Sequence, residues 1–184
     1  ELFLRETRTY EIIEDVKNFR SEIGVLFLNS YNRDVLTKMF DDNRLTYTSL
    51  FKARPHIFVS KSNPLAKHEV VSLEDLEDFP YLSYDQGIHN SFYYSEEILS
   101  QIPHKKSIVV SDRATLFNLL IGLDGYTIAT GILNSNLNGD NIVSIPLDID
   151  DEIDIVYLKH EKATLSKMGE KFLDNLVKEV TFDN

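Results

Sequence analysis

A serine hydrolase built on an α/β sheet needs Gly-x-Ser-x-Gly, whose sharp turn exposes the hydroxyl, and no serine here has that frame. The five histidines, His56, His68, His89, His104 and His160, stand singly. None has the His-x-His or His-x-x-x-His spacing that brings two imidazoles to one metal. The glycines form neither Gly-x-Gly-x-x-Gly nor a phosphate loop; Gly122-Leu123-Asp124-Gly125 reads as a helix-to-strand turn. Carboxylates are abundant, but Asp41-Asp42 and Asp148-Ile149-Asp150-Asp151-Glu152 read as solvated loops. Adjacency in sequence does not give two carboxyls the facing geometry of acid–base chemistry. With no cysteine, disulfides, thiolate metal sites and cysteine nucleophiles are excluded. The expectation is no catalytic centre, no metal and no cofactor.

What remains is a set of small polar residues at the expected ends of strands and starts of helices. Asn29 and Ser30 follow an apolar strand. Ser83 and Tyr84 end another, with Gln86, Asn90 and Ser91 after it. Ser111 and Thr115 open a helix, and Thr130 and Gly131 close a strand. In open α/β sheets ligands bind beyond the carboxyl ends of strands, where helix N-termini offer unpaired N–H groups. Such a set suits a small polar or anionic ligand held by hydroxyls, amides and backbone donors. Caps and turns favour the same residue types, so each position has a purely structural reading beside the functional one.

The elements that would position these residues follow from periodicity. Ile12, Ile13, Val16 and Phe19 form an apolar stripe at helical spacing after Thr9, with Glu11 and Glu14 near the positive end of the helix dipole. Residues 23–28 form a nearly continuous apolar run, as in parallel strands buried on both faces. A short helix is expected over 34–40, strands over 45–51 and 56–60, and a helix start at Ser72, with Asp75 as its reciprocal cap partner. Then come a strand at 81–84, a helix at about 91–99 carrying Phe92-Tyr93-Tyr94, and a strand at 108–110. A helix capped by Ser111 or Asp112 carries Leu116, Leu119 and Leu120. Strands at 126–130, 142–145 and 153–158, a loop over 135–141 and a closing helix over 166–180 complete the chain. Leu2 to Leu4 reads as a strand already inside a sheet, and the opening in mid-pattern suggests further elements upstream.

Strands alternating with helices predict an α/β fold with mainly parallel sheets. The 184 residues, 42% hydrophobic, suffice for one domain or two small lobes with cores. No apolar run approaches the roughly 18 residues that span a bilayer, and the start lacks the features of a signal peptide. The net charge of −11, with His104-Lys105-Lys106 as the densest basic stretch, argues against DNA binding by this chain itself.

Several segments, in order, resemble the effector-binding domain of LysR-type transcription regulators. They are Phe58-Val59-Ser60-Lys61-Ser62-Asn63-Pro64-Leu65-Ala66, then Val71 to Leu76 with Phe79-Pro80-Tyr81-Leu82, then Leu119 to Thr130, and finally Leu165-Ser166 with Phe172. Two departures are Asn63 where the family has histidine before the proline, and the absence of a proline after Gly122-Leu123-Asp124-Gly125-Tyr126 near Thr130-Gly131. Tyr84-Asp85-Gln86-Gly87 with Asn90-Ser91 is similar to a subgroup tied to sulfur amino-acid metabolism.

The resemblance implies a two-lobed α/β fold like type 2 periplasmic binding proteins, each lobe a mainly parallel sheet flanked by helices, joined by two crossover hinges. Lobe I would comprise 1–53 and 138–184, and lobe II 54–137. It also implies that the winged helix-turn-helix and the first strand and helix of lobe I are absent here. DNA would be reached only through that missing N-terminal domain. The implied role is cytoplasmic sensing of a small metabolite in the inter-lobe cleft, within a homodimer or homotetramer, with no membrane partner. The main rival is a solute-binding protein of a transporter, which shares the fold. A small hydrolase or transferase is opposed by the missing motifs.

Overall fold

The computed structural model describes residues 2–89, 91–133 and 139–182. Its chain divides into two compact units, Glu1–Lys52 with Ile153–Asn184, and Ala53–Glu152.

In the first unit the expected amphipathic stripe forms α1 (Thr9–Lys17), which buries Ile13 and Val16. Helix α1 lies close on β1 (Gly24–Leu28), because a Cβ at Gly24 would fall 2.5 Å from Ile12 Cγ2. Helix α2 (Arg33–Asp42) buries Leu36 and Phe40, and β2 (Leu45–Ala53) follows. The unit is completed after the second passage by β8 (Ile153–His160) and α4 (Lys167–Phe182), in a sheet of order β1-β8-β2. Strands β1 and β8 are antiparallel, from Gly24 opposite Leu158 to Leu28 opposite Asp154. The apolar run therefore marks a buried strand, but not a parallel one. Leu2, Phe3 and Leu4 form no strand and are exposed. The stretch that follows is tied to α1 by charge: Asp15, buried, is held between Arg5 Nη1 and Arg20 Nε, both at 2.7 Å.

The second unit holds five strands in the order β5-β4-β6-β3-β7. These are β3 (His56–Ser60), β4 (Tyr81–Tyr84), β5 (Ser107–Val110), β6 (Tyr126–Ala129) and β7 (Ile142–Pro146). Strand β4 is parallel to β5 and β6, whereas β3 is antiparallel to β6 and β7. The sheet is thus mixed rather than mainly parallel. Helix α3 (Arg113–Gly122) covers one face, where Leu116 and Leu120 pack with Phe58, Leu82, Val110 and Ile142. Each such fully buried aliphatic side chain contributes about 1.5–3 kcal/mol.

Two further expectations need correction. The return to the first unit falls at Ile153, not near 138. Strand β7 pairs along β3, with Ile145 opposite Ile57, and Leu147 N donates to Pro55 O at 3.0 Å, so residues 142–147 belong to the second sheet. The helix expected over 91–99 reduces to a 3₁₀ turn, Phe92–Tyr94. The stretch after it turns Glu97 inward, and Leu99 has φ +61°, which no α-helix accommodates. The Ser72–Asp75 pair does form, with Ser72 N and Oγ both donating to Asp75 Oδ2 at 2.8 Å, but the element there is only a 3₁₀ turn, Glu74–Leu76, whose N-cap position is Leu73 and not Ser72. The expected loop at 135–141 lies partly outside the described residues.

The sheet also opens between two adjacent strands. Tyr81 N and Asp85 N donate to Lys106 O and Val110 O on the β5 side. Because backbone groups alternate along a strand, the N–H and C=O of Tyr84 point towards β6. Yet β6 is in register with β4 only at Tyr81–Tyr126. In its place Glu97 Oε1 accepts from Tyr84 N at 2.7 Å, and Gln86 Nε2 donates to Tyr84 O at 3.4 Å. Glu97 is 4% exposed. Loss of water pushes its carboxyl up to about 8, with the neighbouring Glu96 adding to the shift.

Two predictions follow from these local constraints. Gly131 has φ +81°, and a Cβ there would fall 2.5 Å from His56 Nδ1, so Gly131→Ala should cost about 1–3 kcal/mol, read from the urea midpoint. Glu97 keeps its proton to about pH 8 when folded and loses it near 4.5 when unfolded. The folded state therefore binds more protons across that window. Stability should fall as pH rises through it, by at most about 1.4 kcal/mol per unit from this group. Glu97→Gln, which keeps an acceptor for Tyr84 N, should lack that slope; parallel curves for the two proteins would exclude a raised Glu97.

Candidate functional site

The parallel course of β5, β4 and β6 brings their carboxyl ends to one edge of the second sheet, and the antiparallel β3 begins at that edge, with His56 opposite Ala129. Ser83, Tyr84 and Gln86 stand at the end of β4, Thr115 in the turn of α3 that follows β5, and Thr130 with Gly131 after β6. These six therefore share an edge. Ser91 lies in the segment that leaves β4, where its N–H donates to His89 O at 2.8 Å. Asn90 lies outside the described residues. Asn29 and Ser30 belong to the other unit, at the end of β1.

Several of these residues are engaged in shaping the chain. Thr115 donates to Asp112 twice, from N at 2.9 Å and from Oγ1 at 2.7 Å, so the N-cap carboxylate of α3 already occupies the first-turn donors. Those bonds hold the Asp112 carboxyl below its ordinary range. Asn29, buried, accepts from Tyr31 N and Asn32 N at 3.1 Å, while its own N–H donates to Asn32 Oδ1 at 2.9 Å. That reciprocal pair turns the chain from β1 into α2. Thr130 Oγ1 accepts from Ile132 N at 3.4 Å. For Asn29 and Thr115 the structure thus supplies the capping role that their residue types also fit.

Two residues at the edge of the second sheet, His56 and Glu97, carry no signal for the site in the sequence, and Asp112 is marked there only as a helix cap. His56 packs against Gly131, whose lack of a side chain makes room for the ring. Its Nδ1 lies 2.9 Å from Arg54 O. A carbonyl only accepts, so Nδ1 carries a proton in this contact. Asp112 caps α3. Glu97 sits in the opening between β4 and β6. In sequence the Glu96–Glu97 pair looks like any solvated acidic pair, and only burial separates them.

Beside Glu97 the face of the sheet opposite α3 carries a ring cluster. Tyr81 and His104 stack with centroids 3.8 Å apart, and His104 Nδ1 lies 3.0 Å from Tyr126 Oη. Burial pushes the Tyr126 phenol up to about 12 and lowers His104. Tyr81 is raised by burial and by the nearby Glu97. These rings are held neutral. Of the expected basic stretch, Lys105 binds the Glu77 carboxylate and Lys106 donates to Asp78 O at 2.8 Å, which leaves a strand approach and not a phosphate-binding surface. Among the described residues no group of three or more His, Asp or Glu side chains could hold a metal ion. No described helix is long and apolar enough to cross a membrane.

Similar folds occur among solved structures. HinK, a LysR family transcriptional regulator from Pseudomonas aeruginosa, aligns over 95% of this chain and 58% of its own, with TM-score 0.64 and 15% identity. The effector binding domain of QuiR in complex with shikimate aligns over 94% and 78%, with TM-score 0.61 and 18% identity. The BenM effector binding domain with benzoate aligns over 96% and 76%, with TM-score 0.62 and 19% identity. The chain spans about three-fifths of the length of the first two regulators it matches, at 59% and 58%. No curated protein matches its sequence. At these identities the likeness concerns the fold, that of effector-binding domains built like periplasmic binding proteins. The sequence model of the LysR substrate binding domain matches residues 1–181, and the chain belongs to that family, whose domains sense ligands for transcription regulators and are not enzymes.

Proposed function

We propose that this chain senses a small polar or anionic metabolite for a cytoplasmic transcription regulator, and that the ligand sits at the carboxyl-end edge of β4, β5 and β6. The observation that carries this is the convergence there of Ser83, Gln86, Thr130 and His56, at the point where β4 and β6 part. In open sheets such a topological switch point is where ligands bind. DNA contact belongs to a separate N-terminal domain of the regulator. Ligand binding shifts how the sensing domains pack as a homodimer or homotetramer, and so how the DNA-binding domains are spaced. Membership of the LysR family favours this reading over a transporter's solute-binding protein of the same fold. The stretch Tyr84-Asp85-Gln86-Gly87 favours a metabolite of sulfur amino-acid metabolism as the effector.

A thermal-shift screen should contain O-acetylserine, homocysteine, methionine, sulfate, benzoate and shikimate. A ligand at 100 times its Kd stabilises the folded state by about 2.7 kcal/mol, a shift of several degrees for a domain of this size. Ser83→Ala and Thr130→Ala, at half-buried positions, should weaken the hit with little loss of stability. No shift with any compound would remove the sensor reading. Sedimentation of the protein should show dimers or tetramers; a monomer at high concentration would contradict the assembly.

A further inference from the structure

Two buried groups at the opening between β4 and β6 are incompletely matched: the Gln86 amide oxygen lacks a hydrogen-bond partner, and the Glu97 carboxyl, though bonded to Tyr84 N, lacks a cation. Gln86 is 8% exposed, and its Oε1 is buried with no hydrogen-bond partner. Its amide is fixed there because Nε2 donates to Tyr84 O. Glu97, anchored through Oε1 on Tyr84 N, forms no ion pair with any Lys, Arg or His among the described residues. The charged groups around it act in the same direction: Glu96 raises it, and it in turn raises the phenol of Tyr81. A buried acceptor without a donor costs about 1–3 kcal/mol, and a buried carboxyl without a cation gives up its charge. Both groups bond to the backbone of one residue, Tyr84, Glu97 to its N–H and Gln86 to its C=O, on the side of β4 that faces β6. The exposed Asp85 and half-buried Gly87 flank Gln86, which puts this opening one residue from the surface of the chain.

We infer that the opening between β4 and β6 binds the protonated amine of the effector, with Gln86 Oε1 and the Glu97 carboxylate as its acceptors. This inference rests on the proposed sensor role and narrows the ligand to a primary ammonium compound. An ammonium brings three donors and one charge to two acceptors and a carboxyl, and charge-assisted bonds of this kind are about twice as strong as neutral ones. The group that was uncharged when alone becomes ionised when paired. Binding therefore transfers the Glu97 proton to solvent: the carboxyl O–H breaks, the carboxylate pairs with the ammonium, and the ammonium keeps all three of its protons.

The test compares each free amino acid, together with O-acetyl-L-serine and L-homocysteine, with its N-acetyl derivative and its 2-hydroxy acid by thermal shift. Hits are then followed by titration calorimetry at pH 7 in phosphate and in Tris. The expected result is binding of an amine but not of its acetylated or hydroxy partner, with close to one proton released per site. Glu97→Gln should abolish the proton release and weaken the amine at least tenfold. Gln86→Leu should weaken it at least tenfold while leaving the release intact. Equal binding of the N-acetyl or hydroxy compound, or unchanged affinity and proton release in Glu97→Gln, overturns the amine site and leaves the sensor reading standing. Binding of nothing in either series overturns both.

Discussion

A single backbone donor, the Tyr84 N–H, sets the character of the second sheet. In a regular ladder it would bond to β6, but Glu97 takes that place at 2.7 Å. A side-chain carboxyl in the position of a strand keeps β4 and β6 apart where they end, while their start remains paired at Tyr81–Tyr126. The opening is thus not a defect in packing. The sheet below it is continuous, and Leu82 and Leu120 beneath are fully buried. Burying a carboxyl without a cation is expensive, and the protein limits the cost by keeping the proton.

The same edge shows how closely capping and binding chemistry overlap. Asp112 satisfies the first-turn donors of α3 internally, so that helix end is not an empty anion site. A carboxylate already seated on a helix N-terminus repels a second one through both charge and occupancy. Of the polar edge residues, Gln86 has a buried oxygen left over, and it is an acceptor. The polarity of the edge in the second unit is consequently the reverse of what helix N-termini alone would suggest. It offers acceptors where a simple reading of the topology offers donors.

How much of this was legible in the sequence depended on whether each feature is local. Strands β3 and β4 fall where the proline and turn residues that bound them in the sequence put them, and the Asp112 cap and the Ser72–Asp75 pair follow from side chains acting within a few residues. Pairing is not local. The apolar run of β1 shows burial but is silent on direction, which is set by β8 about 130 residues later. Likewise Ile142 to Pro146 reads as a strand, yet only its register along β3 assigns it to the second unit. The expected helix at 91–99 failed for a tertiary reason. Its good helix former Glu97 is used instead to bond the strand-end N–H of Tyr84, and propensity yields to that contact.

The candidate site divides along the same line. Ser83, Thr130 and Gly131 could be placed at strand ends because strand ends are local, whereas His56 and Glu97 owe their positions to register and burial. Gly131 shows the connection: its φ of +81° is a local property, but what forbids a side chain there is the ring of His56, brought alongside by the β3–β6 pairing. The residues that sequence reasoning recovers at such an edge are the ones that also serve as caps. What it cannot show is whether a buried acceptor finds its partner within the chain. Gln86 could be placed at the edge by its position, but that its Oε1 is left without a partner and that Glu97 is buried without a cation are products of the fold. A buried polar atom that no neighbour satisfies is stable only where something outside the fold completes it, whether solvent or ligand. An ammonium between the two would pair the charge that Glu97 otherwise suppresses, which a water molecule cannot do.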